Sequence, residues 1–403
     1  MKRRKDSQGR VLETGENQRK DGIYSFRYIG LDGKRKYIYD SDLSNLRKKK
    51  RKILHDLEDG IECFEEITLN QQFERYLILK NTLSHSTKSN YINLWENHIR
   101  NTALGKAKVN SIKKSHILTF YSKLHNKGLK YATLKVFQCI LNPLFELALE
   151  DDMIRKNPCK GALKGFSKDA TEKMALTKEE QKILLCFLQE DKIYQMYYPM
   201  IVFMLETGLR CGELIGLTWN DVDFRNNYVS IDHQLLYRKK DGKFRLYIGE
   251  PKTKAGFRKI PLTQSANDAL KEQRRLQLEL GRRTNCIIDG YKDFCFSTKN
   301  QNPFMPSAIN DILKNVVNSY NKQEEVLAKS EKRTPLLLPH ISAHTLRHTA
   351  CTRMAECGID IKVLQSIMGH SDITITMNIY NHASYERDQQ EIIRLEMLKY
   401  QSV

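Results

Sequence analysis

The stretch from residue 66 to residue 165 constrains the fold most, because its apolar residues recur at three- and four-residue spacing. That spacing places them along one side of a helix, whereas a strand would need every second residue. Gly128, in a polar segment, interrupts the pattern and separates two helices. We therefore predict an all-helical domain. The helical segments are Leu69–Leu79, Ser86–Ile99, His116–Asn126 and Ala132–Leu149.

The first 62 residues have a different pattern. Tyr24, Phe26 and Tyr28 alternate with other residues, a Gly-Leu-Asp-Gly turn follows, and extended structure resumes at Arg35. This pattern predicts a β-hairpin. The apolar positions that come next predict a helix to about Leu57. The first unit is therefore expected to be a small sheet backed by a helix.

From residue 176 to residue 385 the pattern is mixed, with helix signals at both ends and strand signals over 228–261. This predicts an α+β domain, so the whole chain is expected to be mainly α with small β-sheets. The interval 281–339 is long, irregular and charged from Lys322 to Lys332, and we interpret it as a possible insertion. The remaining predicted segments are a polar linker at 166–175 and a C-terminal tail helix at 386–403.

The charge of the chain indicates a polyanionic partner. The formal net charge is +19 and the isoelectric point is about 9.4, which favours nucleic acid over a merely solvated basic surface. Nine cysteines without a Cys-x-x-Cys pair argue against a disulfide framework or a zinc ribbon. We therefore expect reduced thiols and a cytoplasmic protein. No run of about 18 apolar residues is present, so no membrane span is expected.

Basic residues of the first unit are candidates for contacts with DNA phosphates, with a solvated helix face as the plainer alternative. They lie on the predicted hairpin and along the predicted helix, and one more comes from a turn in the C-terminal half. The candidates are Arg27, Arg35, Lys36, Lys48, Lys49, Lys50 and Lys254.

Five short motifs lie in order in the C-terminal half. In the first, Thr-Gly-Leu-Arg-Cys-Gly-Glu-Leu at 207–214, Gly208 can end a helix in left-handed geometry. Arg210 then begins the next helix, where its guanidinium is held rigidly enough for bidentate phosphate recognition. The other motifs are the turn Pro251–Gly256 with Lys252 and Lys254, the helix start with His344 and Arg347, the pair Gly369–His370, and Tyr380 ten residues later.

Each motif also has a plainer interpretation when taken alone. Arg210 could form a surface ion pair with Glu206 or Glu213. His344 and His348 could be core histidines, and their four-residue separation could even present both to a metal. Because no carboxylate or thiol pair stands near them, we predict no metal site.

Together, the ordered motifs resemble the tyrosine recombinase (phage integrase) family over about residues 66–385. The shared features are the arginine box, a strand-borne lysine, His-x-Leu-Arg-His, Gly-His and the late tyrosine. Residues 9–22 also resemble the arm-binding domain in integrases of conjugative transposons. The resemblance implies an arm-type DNA-binding domain at 1–62, a helical core-binding domain at 66–165 and a catalytic domain at 176–385.

The resemblance also implies roles for individual residues. Tyr380 would attack the scissile phosphorus and form a 3′-phosphotyrosine, while Arg210 and Arg347 neutralise the phosphate oxygens. Lys252 would protonate the leaving 5′-oxygen, and we favour it over Lys254 and Lys259. The remaining assignments are His344 as proton carrier, His370 as hydrogen-bond partner of the phosphate and Glu213 as support for Arg210.

The same resemblance implies partners. Double-stranded DNA with core-type and arm-type sites is the expected substrate, and no cofactor is expected because the phosphotyrosyl ester conserves the bond energy. We expect a tetramer on DNA joined through the tail, with an excisionase-like directionality factor as a possible partner, in a bacterial cytoplasm and on the nucleoid.

Other functions remain open at this stage. The alternatives are a DNA-binding regulator with a relic site, a type IB topoisomerase, a Xer-like resolvase and a metal nuclease.

Overall fold

A computed structural model describes most of the chain and divides it into two units, residues 1–171 and 172–403. The described residues are 4–30, 33–58, 67–166, 175–240, 243–281 and 286–382. The predicted linker at 166–175 lies almost entirely outside the described residues, and the predicted tail at 386–403 lies wholly outside them.

The first unit begins with the predicted hairpin and helix, and one further strand, which was not predicted, makes the antiparallel sheet three-stranded. These elements are β1 (Glu16–Gln18), β2 (Tyr24–Ile29), β3 (Arg35–Asp40) and α1 (Leu43–Glu58). Phe26 pairs with Ile38 across the sheet, and Tyr24 and Phe26 are buried against Leu43 and Leu46 of the helix. Alternation along β2 thus puts the aromatic side chains on the helix side and Arg27 on the exposed side.

The remaining described elements of the first unit are helices. Its helices are α2 (Leu69–Leu79), α3 (His85–His98), α4 (Ala103–Lys106), α5 (Lys114–Asn126) and α6 (Tyr131–Glu150). Thr68 begins α2 with a capping box to Gln71, and Phe73 stacks on Trp95 with ring centroids 4.0 Å apart. The four predicted helices are present; the short α4 was missed because four residues are too few for a periodic pattern.

Helix α6 is long and apolar enough to cross a membrane by length and composition alone. Several of its apolar residues pack inside the protein, since Leu134, Phe137, Ile140 and Leu144 are fully buried in the core of the helical region. A buried core helix meets the same criteria, so this helix is weak evidence for a membrane span.

The second unit is mixed, as the sequence predicted. Its helices are α7 (Lys178–Glu190), α8 (Tyr198–Thr207), α9 (Cys211–Gly216), α10 (Gln264–Glu279), α11 (Ala308–Ser330), α12 (Ala343–Glu356), α13 (Ile361–Met368) and α14 (Ile373–His382). A three-stranded sheet contains β4 (Val222–Asp223), β5 (Tyr228–Ile231) and β8 (Arg258–Pro261), and a hairpin contains β6 (Gln234–Lys240) and β7 (Lys243–Gly249). Helix α8 is buried on most sides and packs against α10 and α12.

One sequence-based interpretation of this unit is corrected. The described part of the interval 281–339 belongs to the fold, because Phe294, Ile309 and Leu313 are fully buried in the core of this unit and most of the charged stretch lies in α11. The turn with Lys252 connects two different sheets. It joins β7 of the hairpin to β8 of the three-stranded sheet, so its position depends on two sheets rather than on one ladder.

Candidate active site

Arg210 is held at the start of α9 by a turn that requires glycine. Gly208 ends α8 with φ of 62°, and a Cβ there would lie 2.5 Å from Cε of Met368. Nη1 of Arg210 donates to Oε1 of Glu213 at 2.8 Å, and Nη2 donates to the carbonyl of Gly369 at 2.7 Å. The side chain remains 40% exposed, so this oriented guanidinium can still meet a ligand.

Arg347, on α12, also binds the turn that ends α13. Its Nη1 donates to the carbonyl of Gly208 at 2.6 Å, and its Nη2 donates to the carbonyl of Met368. Burial, together with the nearby positive charge of Arg210, lowers the pKa of Arg347 to about 10. The group stays protonated at neutral pH, and both arginines converge on the turn that ends α13.

Arg258 is a third arginine here, and the sequence reasoning missed it. In β8 its Nη1 and Nη2 donate to the two carboxylate oxygens of Glu213, at 3.1 and 2.8 Å, and both side chains are only 3% exposed. The signal that could have found it is alternation, because Arg258 lies two residues before the buried Ile260 on the predicted strand.

Glu213 is the carboxylate shared by this cluster. Burial by itself raises the pKa of its carboxyl, but the hydrogen bonds and charge of Arg258 and the charge of Arg210 outweigh burial and hold the pKa below its ordinary value. Arg210 and Arg258 pair with Glu213 directly and Arg347 interacts with its charge, so the described residues bring three guanidinium groups together with one carboxylate. The excess positive charge makes the turn after α13 suited to an anion such as a phosphodiester.

His370 follows that turn directly. Gly369 ends α13 with φ of 62°, and Nδ1 of His370 lies 3.0 Å from the hydroxyl of the fully buried Thr376 on α14. Burial first, and then the charges of Arg347 and Arg210, lower the pKa of His370 to about 4. The imidazole is therefore neutral at neutral pH and oriented by Thr376 for hydrogen bonding.

The depressed pKa of His370 predicts a pH effect on stability. In the unfolded chain His370 is protonated below its ordinary pKa of 6.5, whereas in the folded chain it is protonated only below about pH 4. The free energy of unfolding therefore falls as pH drops through that window, and it is unaffected above it. From about pH 7 to about pH 5, wild type should lose about 1 kcal/mol more than His370→Gln, after allowance for partial exposure.

Denaturant unfolding followed by tryptophan fluorescence measures this difference. Both proteins should carry Trp95→Phe, because the chain has two tryptophans and Trp219 then reports the second unit alone. Parallel pH profiles for the two proteins would contradict the expected depression of the His370 pKa.

For the predicted catalytic residues His344 and Tyr380, the structure gives the position in the fold but fewer contacts. His344 is exposed in the first turn of α12, one turn before Arg347, and its charge contributes to lowering the pKa of His370. The backbone of Tyr380 lies in α14, which packs against α12 and α13, while its side chain is outside the described part of the structure.

The lysine-bearing turn contacts the site through its backbone. A Cβ on Gly369 would lie 2.9 Å from the carbonyl oxygen of Ala255, so the turn touches the segment that leads to His370. Lys252 and Lys254 are both exposed on this turn, and the choice between them stays a prediction. Lys259 is instead held on Tyr228, with Nζ 3.3 Å from the hydroxyl and 4.3 Å from the ring centre.

Asp221, Asp232 and His233 form a cluster that could in principle hold a metal ion. Nδ1 of His233 already pairs with Asp232 at 2.5 Å, and its Nε2 lies 2.8 Å from the carbonyl oxygen of Gly216. Because both ring nitrogens are engaged, we interpret this cluster as a structural network that ties α9 to the strands.

The candidate DNA contacts of the first unit divide by position. Arg27 and Arg35 lie on the exposed face of the sheet with Tyr37 and Tyr39, whereas Lys36 is half-buried on the other face. On α1, Lys48 is exposed. Lys49 is exposed too, and its Nζ pairs with the carboxylate of Asp40 at 2.8 Å.

The structure corrects the choice of Lys50 as a candidate DNA contact. Its side chain is buried, and Nζ pairs with Glu13 at 2.6 Å and with Glu16 at 3.2 Å while lying 4.9 Å from the ring centre of Phe26. The helical period explains this, because Lys50 lies four residues after the buried Leu46. Lys50 therefore stabilises the sheet–helix unit instead of facing DNA.

Lys48 and Lys50 form a matched pair for testing this correction. Lys50→Met should destabilise the sheet–helix unit by about 1–3 kcal/mol, because Glu16 loses a buried partner. Lys48→Ala should leave stability unchanged but lower the slope of log affinity against log salt by about one. Thermal unfolding and DNA binding at several salt concentrations measure both; an equal loss of stability in the two variants would refute the distinction.

Comparison with known proteins identifies the class. The model described as "Phage integrase family" matches residues 174–387. The model described as "DNA binding domain of tn916 integrase" matches residues 1–61, and "Phage integrase, N-terminal SAM-like domain" matches residues 71–150. A sheet–helix unit, a helical region and an arginine-lined α+β unit therefore correspond, in order, to parts of DNA-recombining enzymes.

Individual relatives agree. The transposase from transposon Tn916 of Enterococcus faecalis is 36% identical over 99% of this chain and 98% of its own length. A XerC-like tyrosine recombinase of Caldanaerobacter subterraneus is 27% identical over 86% of this chain and 88% of its own. The solved structure of the Tn1549 transposon integrase in complex with a circular intermediate DNA is 34% identical, with a TM-score of 0.70 over 82% of this chain and 99% of that one.

The chain belongs to the phage integrase family of tyrosine recombinases. It is therefore a site-specific enzyme that breaks and rejoins DNA, as the ordered motifs predicted, and its fold class is confirmed.

Proposed function

We propose that this recombinase integrates and excises a mobile element of the conjugative-transposon kind by cutting DNA with Tyr380. The observation that supports this best is the convergence of Arg210, Arg347 and His370 on the turn after α13. The near-complete alignment with a protein named as the Tn916 transposase supports the type of element.

In the proposed cleavage step, Oη of Tyr380 bonds to the scissile phosphorus and the bond from phosphorus to the 5′-oxygen breaks. His344 takes the tyrosine proton, and the Lys252 ammonium gives a proton to the leaving oxygen. The 5′-hydroxyl of another strand later attacks the phosphotyrosine, so the number of ester bonds is conserved and no ATP is consumed.

The arginine cluster stabilises the charge that develops in this step. Arg210 and Arg347 would face the non-bridging oxygens as phosphorus becomes pentacoordinate, and the neutral His370 would donate a further hydrogen bond. Glu213 keeps Arg210 oriented through two bonds, one to its backbone N–H and one to Nη1. Because these groups are held before DNA binds, little reorganisation is needed in the transition state.

We further propose how the parts of the chain divide DNA binding. Residues 1–62 would bind arm-type sites, and 66–165 would bind core-type sites beside the catalytic residues 176–385. The exposed Arg27, Arg35, Lys48 and Lys49 fit phosphate contacts in the first of these. Two candidates remain. Lys254 is exposed on its turn, whereas Lys36 is half-buried, so Lys254 is better placed to contact a DNA phosphate.

The number of protomers in the assembly follows from the number of DNA strands that are cut. Exchange between two duplexes requires four cut strands, and each cut consumes one nucleophile, so four protomers would act together. The tail at 386–403, which lies outside the described residues, would dock on a neighbouring protomer. An excisionase-like factor would set direction, and the enzyme would work on the nucleoid in a bacterial cytoplasm.

A suicide substrate tests the proposal. A nicked attachment-site DNA that loses a short 5′ fragment on cleavage should trap an SDS-resistant protein–DNA adduct, even with EDTA present. Absence of an adduct on every matched site would indicate a regulator with a relic site. Relaxation of supercoiled DNA without joining of paired sites would indicate topoisomerase-like activity instead.

A further inference from the structure

Arg258 binds three separate parts of the second unit from a buried position. Its Nε donates to the carbonyl of Ile367 at 2.7 Å, its Nη1 to the carbonyl of Gly256 at 3.0 Å, and its Nη2 to Glu213 at 2.8 Å. One guanidinium group thus joins the end of α13, the lysine-bearing turn and the carboxylate that orients Arg210.

The contact with Gly256 acts on the whole lysine-bearing turn, residues 251–257. A Cβ on Gly256 would lie 2.4 Å from Cβ of Pro251, so the end of the turn folds back onto its first residue. Lys252 and Lys254 lie between these two points. Their own side chains are exposed, so the position of the turn depends on its backbone and on Arg258.

The same guanidinium lies where the lysine-bearing turn meets the segment that leads to His370. A Cβ on Gly369 would lie 3.2 Å from Cζ of Arg258 and 2.9 Å from the carbonyl oxygen of Ala255. Gly369 is therefore needed for close approach as well as for its left-handed backbone. The turn and the segment leading to His370 are in direct contact, with Arg258 at their junction.

We propose that Arg258 is a positioning residue that sets where the lysine-bearing turn presents its ammonium group to the leaving 5′-oxygen. This inference rests on the proposed function, in which Lys252 supplies that proton. Glu213 has two bonds to Arg210 that do not involve Arg258, and Arg258→Lys keeps a positive charge beside Glu213, so the effect of this substitution is expected mainly on the turn.

The chemistry of the leaving group separates this role from phosphate binding. A 5′-oxygen leaves as an alkoxide unless it receives a proton, whereas a 5′-sulfur leaves as a thiolate, whose pKa is about 8.5 in a model thiol, and needs no proton. A DNA with sulfur at the bridging position therefore bypasses a defective proton donor. It does not bypass a defect in stabilising the charge on the non-bridging oxygens.

The experiment measures single-turnover cleavage of matched oxygen- and sulfur-bridged suicide substrates by the full-length enzyme. Arg258→Lys keeps the charge but cannot reach all three partners. We expect it to cleave the oxygen substrate about 10²-fold more slowly than wild type, and the sulfur substrate within about threefold of wild type. Lys252→Ala should show the same pattern, whereas Arg210→Ala should be slow on both substrates.

Arg353 provides a matched control. It also bridges separate segments, donating to Gln181, to Glu356 and to the carbonyl of Leu176, but it has no bond to the lysine-bearing turn. Arg353→Lys should therefore change both substrates by the same factor. Arg258→Gln, which retains hydrogen bonding, carries the test if Arg258→Lys fails to fold, as judged by thermal unfolding and DNA binding.

The outcomes separate the inference from the proposed function. Equal slowing of Arg258→Lys on both substrates, with Lys252→Ala rescued by sulfur, overturns the inference and leaves the proposed function intact. Rescue of Lys254→Ala in place of Lys252→Ala supports the inference with the other lysine as donor. Rescue of neither lysine variant overturns the proton-donor assignment and the inference with it.

Discussion

Tyr380→Phe should form no covalent adduct with a suicide DNA and should recombine attachment sites at least about 10⁴-fold more slowly than wild type. The substitution removes one oxygen, the atom that bonds to phosphorus in the proposed step. Tyr380 lies in α14, where the neighbouring Ile379 and Thr376 are buried, so a ring of nearly the same size should leave the helix in place. Gel electrophoresis of the adduct in SDS measures the effect.

Tyr320 supplies the control for this prediction. Tyr320 lies on α11, and its hydroxyl donates to the carbonyl of Leu336 at 3.0 Å. Tyr320→Phe therefore also removes one hydrogen-bonded hydroxyl from the second unit. Tyr320→Phe should form the adduct at close to the wild-type rate. An adduct formed by Tyr380→Phe at a comparable rate would show that another residue is the nucleophile.

Arg210→Ala should slow cleavage on the order of 10³-fold while changing DNA affinity only severalfold. Its guanidinium is oriented in advance by Glu213 and by the carbonyl of Gly369, so its main contribution is expected in the transition state. The chain has 67 lysines and arginines, so many other basic groups are available for phosphate contacts, and affinity should survive the loss of one. Single-turnover cleavage and equilibrium binding measure the two effects separately.

Arg275→Ala is the matched control for Arg210→Ala. Arg275 lies exposed on α10 and pairs with Glu272 and Glu279, so its loss removes one surface charge and little stability. Cleavage by this variant should stay within about twofold of wild type. If Arg210→Ala loses DNA affinity and cleavage by the same factor, Arg210 contributes to binding alone.

Much of the fold could be predicted because its signals are local. The helix over Leu69–Leu79 has the predicted bounds, since apolar spacing and a Thr-x-x-Gln cap lie within one short segment. The left-handed ends at Gly208 and Gly369 also follow from a glycine after an apolar helix. The order of the motifs indicated the family before any side chain had a position.

Burial of charged residues was harder to predict, because a basic run does not show which of its members faces inward. Lys50 sits in a stretch of six basic residues, yet it pairs with Glu13 and Glu16, which lie more than 30 residues earlier in the chain. The interval 281–339 misled for a similar reason. Its many polar residues gave no sign that Phe294 and Leu313 are buried, and these two complete a core formed mainly by distant helices.

The sequence by itself determined the helices, the small sheets, the family and the residues that carry the proposed chemistry. The elements and the family follow from the spacing and type of residues along the chain, and the roles of the proposed catalytic residues are what the family resemblance implies. The tertiary structure alone decided how the arginines are held, because Arg258 meets Glu213 across 45 residues and Arg347 meets the carbonyl of Gly208 across 139. Such contacts form only when the segments fold together, and burial then gives them their effect on charge and pKa.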